Sequence, residues 1–300
     1  ATGVSGLDLY LRQPPGWRWL GAGRPSKYPT NRAPLITGEL SPARREMMIY
    51  LPLYNGTLAA EVGLPEDATI EPAPPRRGPR TRPICFYGTS IVHGGCASRP
   101  GMSYPAIISR RLYWPHYNFG FSGNGRCERA VAELLAQLHV AAYVLDPLPN
   151  MTLEQVQERM AEFVAVLRAA RPATPIILVE NIPYQDGYAV KARREPTAEK
   201  NAALRKIFQR LTRQRMKHLH YLRRDRLLGT DGDATVDGVH PTDLGFTRMA
   251  QAIGPLVAKT LGQPIGRDRP ATRRPAGGAG ARPALAVPVH HAGPRGSGSR

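Results

Sequence analysis

At 300 residues with 42% apolar side chains, the chain can bury one sizeable core and a smaller unit, which excludes a wholly disordered protein. Its formal net charge of +18 points toward nucleic acid, but much of the excess sits in "PPRRGPRTRP", in the arginines beyond Gln263 and on one helix. No aromatic residues interleave with that helix's charges for base stacking, so nucleic acid is not an expected partner.

No run approaches the roughly 18 apolar residues of a membrane span. Three cysteines at unrelated spacings supply neither a disulfide framework nor a metal-binding pair. Cys85 and Cys127 read as small buried apolar residues, and Cys96 as a residue able to line a pocket. The chain opens at Ala1 with no charged segment leading into an apolar one, which fits a leader already removed; a cytoplasmic and an exported location both stay open.

Along the chain, residues 1–71 hold short β-like pieces such as "MMIYLPLY" (47–54) and "AEVGL", broken by Asn-Gly and Pro, and predict a small all-β unit. Residues 72–82, rich in Pro and Arg, read as a stiff exposed linker. From 83 to 262 the apolar runs "ICFYG", "YNFGF", "YVLDPL", "PIILVE" and "HYL" alternate with helical stretches at 104–112, 127–138, 153–169, 198–217 and 244–261. Five such repeats predict a parallel sheet covered on both faces. In the fourth helix Leu204, Ile207, Phe208 and Leu211 share one face, while Lys206, Arg210, Arg213 and Lys217 recur on another, a solvated outer face. Residues 263–300, rich in Gly, Pro, Ala and Arg without apolar periodicity, predict a disordered tail.

In an open parallel sheet, sites form beyond the carboxyl ends of the strands. Four polar elements are expected there: "YGTSIVHGG" (87–95) after the first strand, "SGNG" (122–125) after the second, "LPNM" (148–151) after the third and "DGVHP" (237–241) after the fifth. Their chemistry fits acyl transfer. Ser90 is the candidate nucleophile, His240 its base and Asp237 the carboxylate that holds the imidazole in the useful tautomer. The N–H groups of Ser90 and Gly123, with the amide of Asn150, make a three-donor oxyanion pocket.

Each piece also has a plainer use. Gly123 serves equally as a turn glycine, Asn150 as a loop cap, and Asp237 with His240 as an exposed loop ahead of a helix capped by Thr242 or Asp243. Among rivals, Ser122 lacks the glycine two residues on that a nucleophile elbow requires, and His93 reads as a turn or surface histidine. His218 and His220 lack a matching ligand cluster, so no zinc site is expected. The glycosylation patterns at Asn55 and Asn150 are discounted, Glu180 and Asn181 are left without a role, and the loops at 93–103 and 183–195 are expected to shape the acyl and alcohol pockets.

"YGTSIVHGG", "GFSGNG", "LPNM" and "VDGVHPTDLG" together resemble the four sequence blocks of the SGNH, or GDSL-like, hydrolases, over about residues 82–261. "GLDLY" (6–10) and "YLPLYNGTLAAEVGLP" (50–65) resemble the β-sandwich unit that precedes the hydrolase in one branch of that family. The resemblance implies Ser90 as nucleophile, Gly123 and Asn150 as oxyanion donors, and Asp237 with His240 completing a triad. It also implies a serine esterase working through an acyl-enzyme, with no metal or organic cofactor, on small-molecule or carbohydrate esters, O-acetyl groups among them. Transfer to an acceptor other than water uses the same residues, and a non-catalytic carbohydrate-binding protein is the alternative from another class. Thr89 stands where the family's Gly-Asp-Ser has aspartate, as in the branch with the "GLDLY" unit. The expected fold is α/β: a flavodoxin-like three-layer sandwich with a five-stranded parallel sheet, preceded by a small all-β sandwich domain.

Overall fold

The structure, a computed structural model, describes residues 1–263 and 288–290. The described residues divide into two units, residues 1–75 with 99–101 and 288–290, and residues 76–98 with 102–263.

In the first unit, "GLDLY" alternates apolar and polar side chains, the period of a strand with two unlike faces. A single helical turn, α1 (Thr2–Ser5), leads into β1 (Leu7–Gln13), which turns back on β2 (Gly16–Gly23). β1 then takes β4 (Met47–Tyr50) on its other edge, so the sheet runs β2-β1-β4, all antiparallel. Leu7, Leu9 and Leu35 form its small core. Asp8 points the other way and is fully buried. A buried carboxylate must be paired, and Asp8 is paired by the Trp19 indole N–H at 2.9 Å, the Arg99 guanidinium at 2.6 Å and the Gly101 N–H at 3.0 Å.

A second small sheet runs β3-β11-β5, from β3 (Arg32–Pro34), β5 (Glu61–Val62) and β11 (Pro288–His290), all antiparallel. The disordered tail expected over 263–300 otherwise lies outside the described residues, Gln263 apart. At 288–290 the chain is a strand, paired antiparallel with β3 on one side and β5 on the other.

The second unit supplies the larger core. Its five strands, β6 (Ile84–Gly88), β7 (His116–Gly120), β8 (Ala142–Asp146), β9 (Ile176–Val179) and β10 (Leu219–Leu222), are all parallel, in the order β10-β9-β8-β6-β7. Strand alternation sorts the central side chains to two buried faces. Cys85, Tyr87, Tyr143, Leu145, Ile176 and Leu178 pack against α4 (Arg129–Gln137), α5 (Leu153–Ala170) and α6 (Lys191–Arg213). On the opposite face Phe86 meets Tyr104 of α3 (Tyr104–Leu112) edge to face, ring centroids 5.7 Å apart, and α3 packs on α7 (Asp243–Thr260). This is the three-layer arrangement the strand and helix repeats predict. The remaining helix, α2 (Ser90–His93), is one turn long. Among the described residues no helix is long and apolar enough to cross a membrane.

Two local expectations shift. The helix predicted from 198 begins at Lys191, with Pro196 inside it: the proline forgoes its own N–H bond and crowds the carbonyl four residues back, a local cost that the helix bears as it continues. The same helix ends at Arg213, short of Lys217, where Arg215 turns left-handed at φ 60°. Lys206, Arg210, Arg213 and Lys217 are exposed, as a solvated face requires. From Arg76 onward the Pro- and Arg-rich stretch lies within the second unit, with Arg76 over the Tyr113 ring at 4.2 Å and Arg80 over Trp114 at 5.6 Å.

Gly120, the last residue of β7, has no room for a side chain: a Cβ there would lie 2.0 Å from the His93 nitrogen and 2.4 Å from its Cα. α2 rests its backbone on that glycine. Gly120→Ala is therefore expected to lift α2 from β7, costing roughly 1–3 kcal/mol of stability, and thermal unfolding with a midpoint equal to wild type would contradict this packing.

Asp146 ends β8 with 1% of its surface exposed, one oxygen 3.3 Å from the Tyr104 hydroxyl and the other without a hydrogen-bond partner. Burial pushes its carboxyl up to about 8, against the opposing pull of the Tyr104 hydroxyl. The folded state thus keeps this proton while the unfolded chain releases it near pH ~4. The associated stability is fully present below that pH and is lost as pH rises through about 8. Asp146→Asn, neutral at every pH, should gain thermal stability relative to wild type progressively from about pH 4 to 8; parallel melting profiles across that range would refute the assignment.

Candidate active site

The strand order places a topological switch at β6: the chain leaves it for β7 on one side and returns to β8 on the other, so loops from both sides converge at these carboxyl ends. Ser90 is the first residue of α2, immediately beyond β6. Thr89 is fully buried and caps that helix, its hydroxyl accepting from the Ile91 N–H at 3.2 Å. Threonine and aspartate are both N-cap residues, which explains how threonine can occupy the position where the family has aspartate. Gly94 closes the turn in the left-handed region at φ 102°, donating its N–H to the Ser90 carbonyl at 3.0 Å. From β7, Asn118 adds a further brace by donating its amide to the Val92 carbonyl at 2.9 Å.

His240 arrives from the loop before α7. Its Nε2 lies 2.8 Å from Ser90 Oγ, and its Nδ1 lies 2.7 Å from Asp237 Oδ2. The other Asp237 oxygen accepts the backbone N–H groups of Val239 at 2.9 Å and His240 at 2.7 Å, so one carboxylate both folds its own loop and orients the ring. With Nδ1–H donating to the carboxylate, Nε2 is left as an acceptor for the Ser90 hydroxyl. Partial burial works to raise the Asp237 carboxyl, but the hydrogen bonds from the His240 ring and the two N–H groups outweigh it and hold the carboxyl down at about 2. It is an anion throughout the neutral range. Such a chain can take a proton from a hydroxyl as that hydroxyl attacks a carbonyl, and stabilise the imidazolium that results.

Three further features stand near these groups in the fold. The Ser90 N–H, in the first turn of a helix, has no intrahelical acceptor. Gly123, after β7, sits at φ +72° with no atom beyond its own chain neighbours within 4 Å of where a Cβ would be, so its backbone is open on that side. Asn150 ends the short 3₁₀ turn Leu148–Asn150 beyond β8 and donates one amide hydrogen to the Asn124 carbonyl at 2.7 Å, which joins the second and third loops and leaves its second hydrogen unused by that bond.

Other expected residues fall outside this chain of bonds. Ser122 Oγ approaches His93 Nδ1 only to 3.4 Å. Cys96 is exposed, and partial burial followed by the nearby Asp237 carboxylate raises its thiol, which disfavours a thiolate. Cys85 and Cys127 are buried. Glu180 is a buried structural anion, accepting from Arg205 at 2.7 Å, the Tyr221 hydroxyl at 2.5 Å and the Arg224 N–H at 2.9 Å. Thr242, not Asp243, caps α7, accepting from the Gly245 N–H at 3.3 Å.

Several supporting contacts had no signal in the sequence. Asp243 instead accepts the Ser98 N–H at 3.0 Å and also its hydroxyl, tying the segment after Ser90 to the helix after His240. The loop expected to shape a pocket braces the Asp237 loop: the Gln185 N–H donates to the Gly238 carbonyl at 2.9 Å, and the Thr235 hydroxyl donates to the Gln185 side chain at 3.0 Å. Arg193 pairs with Asp186 at 2.9 Å and reaches the Asp237 carbonyl at 3.4 Å.

Residues 81–258 match the model of the GDSL-like lipase/acylhydrolase family, and residues 1–70 match that of the N-terminus of SGNH-hydrolase-type esterases. A crystal structure described as a GDSL-like lipase from Bacteroides ovatus is 36% identical, with a TM-score of 0.81 over 87% of this chain and 76% of that one. Two more distant structures share the fold. The salicylyl-acyltransferase SsfX3 of a tetracycline biosynthetic pathway is 18% identical at TM-score 0.56, covering 86% of this chain and 82% of its own. A Corynascus thermopiles carbohydrate esterase family 2 enzyme with a carbohydrate-binding domain is 15% identical at TM-score 0.55, covering 87% and 88%. No curated protein sequence matches the chain. With a family model spanning more than half its length and a related structure along most of it, this chain belongs to the GDSL-like lipase/acylhydrolase family, as a hydrolytic esterase with a GxDLY-type amino terminus.

Proposed function

We propose that the protein hydrolyses carboxylic esters through an acyl-enzyme formed on Ser90, with His240 as general base and Asp237 as its orienting carboxylate. The observation that carries this reading is the unbroken run of hydrogen bonds from Ser90 Oγ through the His240 ring to Asp237, 2.8 and 2.7 Å long. Ser90 Oγ attacks the ester carbonyl carbon while its proton passes to His240 Nε2. The carbonyl oxygen, now carrying the negative charge, is met by the N–H groups of Ser90 and Gly123 and the Asn150 amide. As the carbon–oxygen bond to the alcohol breaks, the imidazolium gives its proton to the departing oxygen. Water then attacks the acyl-enzyme, losing a proton to the same nitrogen, and the carboxylic acid leaves as Ser90 recovers its hydrogen. Asp237 remains an anion throughout, in keeping with a carboxyl held down at about 2.

The site is open: the His240 side chain is 33% exposed and that of Asp237 50%. Such openness suits an acyl group carried on a bulky alcohol, and O-acetyl esters of carbohydrate are the proposed substrate class. Hydrolysis of a chain-length series of nitrophenyl esters, together with acetate release from a peracetylated disaccharide, tests both parts. Short acyl chains should turn over fastest. Ser90→Ala and His240→Ala should each lower kcat by about a thousandfold or more, and Asp237→Ala by about a hundredfold or more, since such groups act as a unit. Unchanged turnover in the folded serine variant would refute the nucleophile, and ester hydrolysis without acetate release from the sugar would refute the substrate class alone.

A further inference from the structure

α6 carries a buried polar cluster on the face it turns to the sheet. Thr197, Lys200, Asn201 and Leu204 follow one another at helical spacing, and all are buried. Asn201 grips the main chain just past β9 from both sides, accepting the Asn181 N–H at 2.7 Å and donating to the Asn181 carbonyl at 3.0 Å. Lys200, one residue earlier, reaches the neighbouring strand end. Its ammonium donates to the Leu148 carbonyl at 2.9 Å and approaches the Pro149 carbonyl at 3.5 Å.

Those two carbonyls belong to the 3₁₀ turn that ends in Asn150. The turn has little to hold itself with. Pro147 and Pro149 lack N–H groups, and its own bonds, from the Asn150 N–H to Pro147 and from the Met151 N–H to Leu148, are long at 3.3 and 3.2 Å. On the far side α5 is fixed by a reciprocal capping box between Thr152 and Gln155. Lys200 therefore secures the near side of a segment whose far side is already capped.

An ammonium is a costly group to place here. Lys200 is 8% exposed and no carboxylate among the described residues pairs with it, and burial lowers its ammonium to about 8. A methionine would fill much the same space without that cost. The charge does strengthen the bond to Leu148, since charged donors bind carbonyls more tightly than neutral ones.

We propose that Lys200 is a positioning residue: by gripping the Leu148 and Pro149 carbonyls it aims the Asn150 amide at the oxyanion. This rests on the donor role proposed above for Asn150, whose remaining bond, to the Asn124 carbonyl, carries the same restraint into the Gly123 segment. An error of about 1 Å in a donor can cost up to a hundredfold in rate.

The test is a double-mutant cycle on nitrophenyl acetate with Lys200→Met and Asn150→Ala, each variant first verified as folded by thermal unfolding. Lys200→Met should lower kcat about 10- to 100-fold with KM within about twofold, the pattern of an interaction felt only in the transition state. In the Asn150→Ala background the same substitution should cost almost nothing further, because the residue it positions is gone. Lys200→Arg, which keeps a cationic donor, should recover part of the loss. Unchanged kcat in Lys200→Met, or a loss that adds in full to that of Asn150→Ala, overturns the positioning role. If Asn150→Ala leaves kcat unchanged while Ser90→Ala abolishes it, the oxyanion assignment fails and takes this proposal with it, leaving the nucleophile intact. Should Lys200→Met not fold, Lys200→Gln, which removes the charge and shortens the arm, is put through the same cycle with the same outcomes deciding.

Discussion

The hydrogen bond between Ser90 and His240 joins residues 150 positions apart, and much of the second unit can be understood as what holds its ends 2.8 Å from each other. Neither end is held by its own segment alone. Ser90 stands on a single helical turn, too short to be stable by itself. That turn persists because Thr89 caps it, Gly94 closes it, Asn118 ties it to β7 and Gly120 lets its backbone lie directly on the sheet. His240 stands in a loop whose shape is set by Asp237 from within and by Gln185 and Arg193 from outside. The Ser98 to Asp243 bonds then link the segment after one to the helix after the other.

The side proposed to meet the oxyanion obeys the same logic with different materials. Gly123 offers backbone with no side chain to obstruct it, and Asn150 sits on a proline-rich turn that ties itself only by two long N–H bonds, of 3.3 and 3.2 Å. Buried polar side chains of α6 supply the missing donors, so a helix far along the chain shapes two strand ends. Burying a lysine whose ammonium meets only carbonyls is costly, and the structure accepts that cost next to the proposed site of chemistry.

Much of the architecture was legible before any coordinates. The five apolar runs became the five parallel strands, and the helix expected at 104–112 has those bounds. Apolar runs between helical periods carry such information because burial on two faces demands it. Boundaries governed by a single residue were less legible, as at α6, which runs through Pro196 and stops before Lys217. In the first unit, the resemblance of "GLDLY" to a known unit pointed to the stretch that forms β1, while β2 was not anticipated, since one alternating stretch does not say which strand it will pair with.

For the site, the sequence by itself determined which groups were available and roughly where: a serine, a glycine, an asparagine and an Asp/His pair, each just past the end of a strand or ahead of the last helix. Local chemistry and strand order suffice for that, because loops after parallel strands gather on one edge. Tertiary structure alone decided the distances, the left-handed turn at Gly123, and the identity of the braces Asn118, Gln185, Lys200 and Asp243. Each of those braces bonds to a segment that its own neighbours in sequence do not specify. A side chain's spacing fixes the face it occupies on its own element, whereas the carbonyl or N–H it meets is set by how separate elements pack.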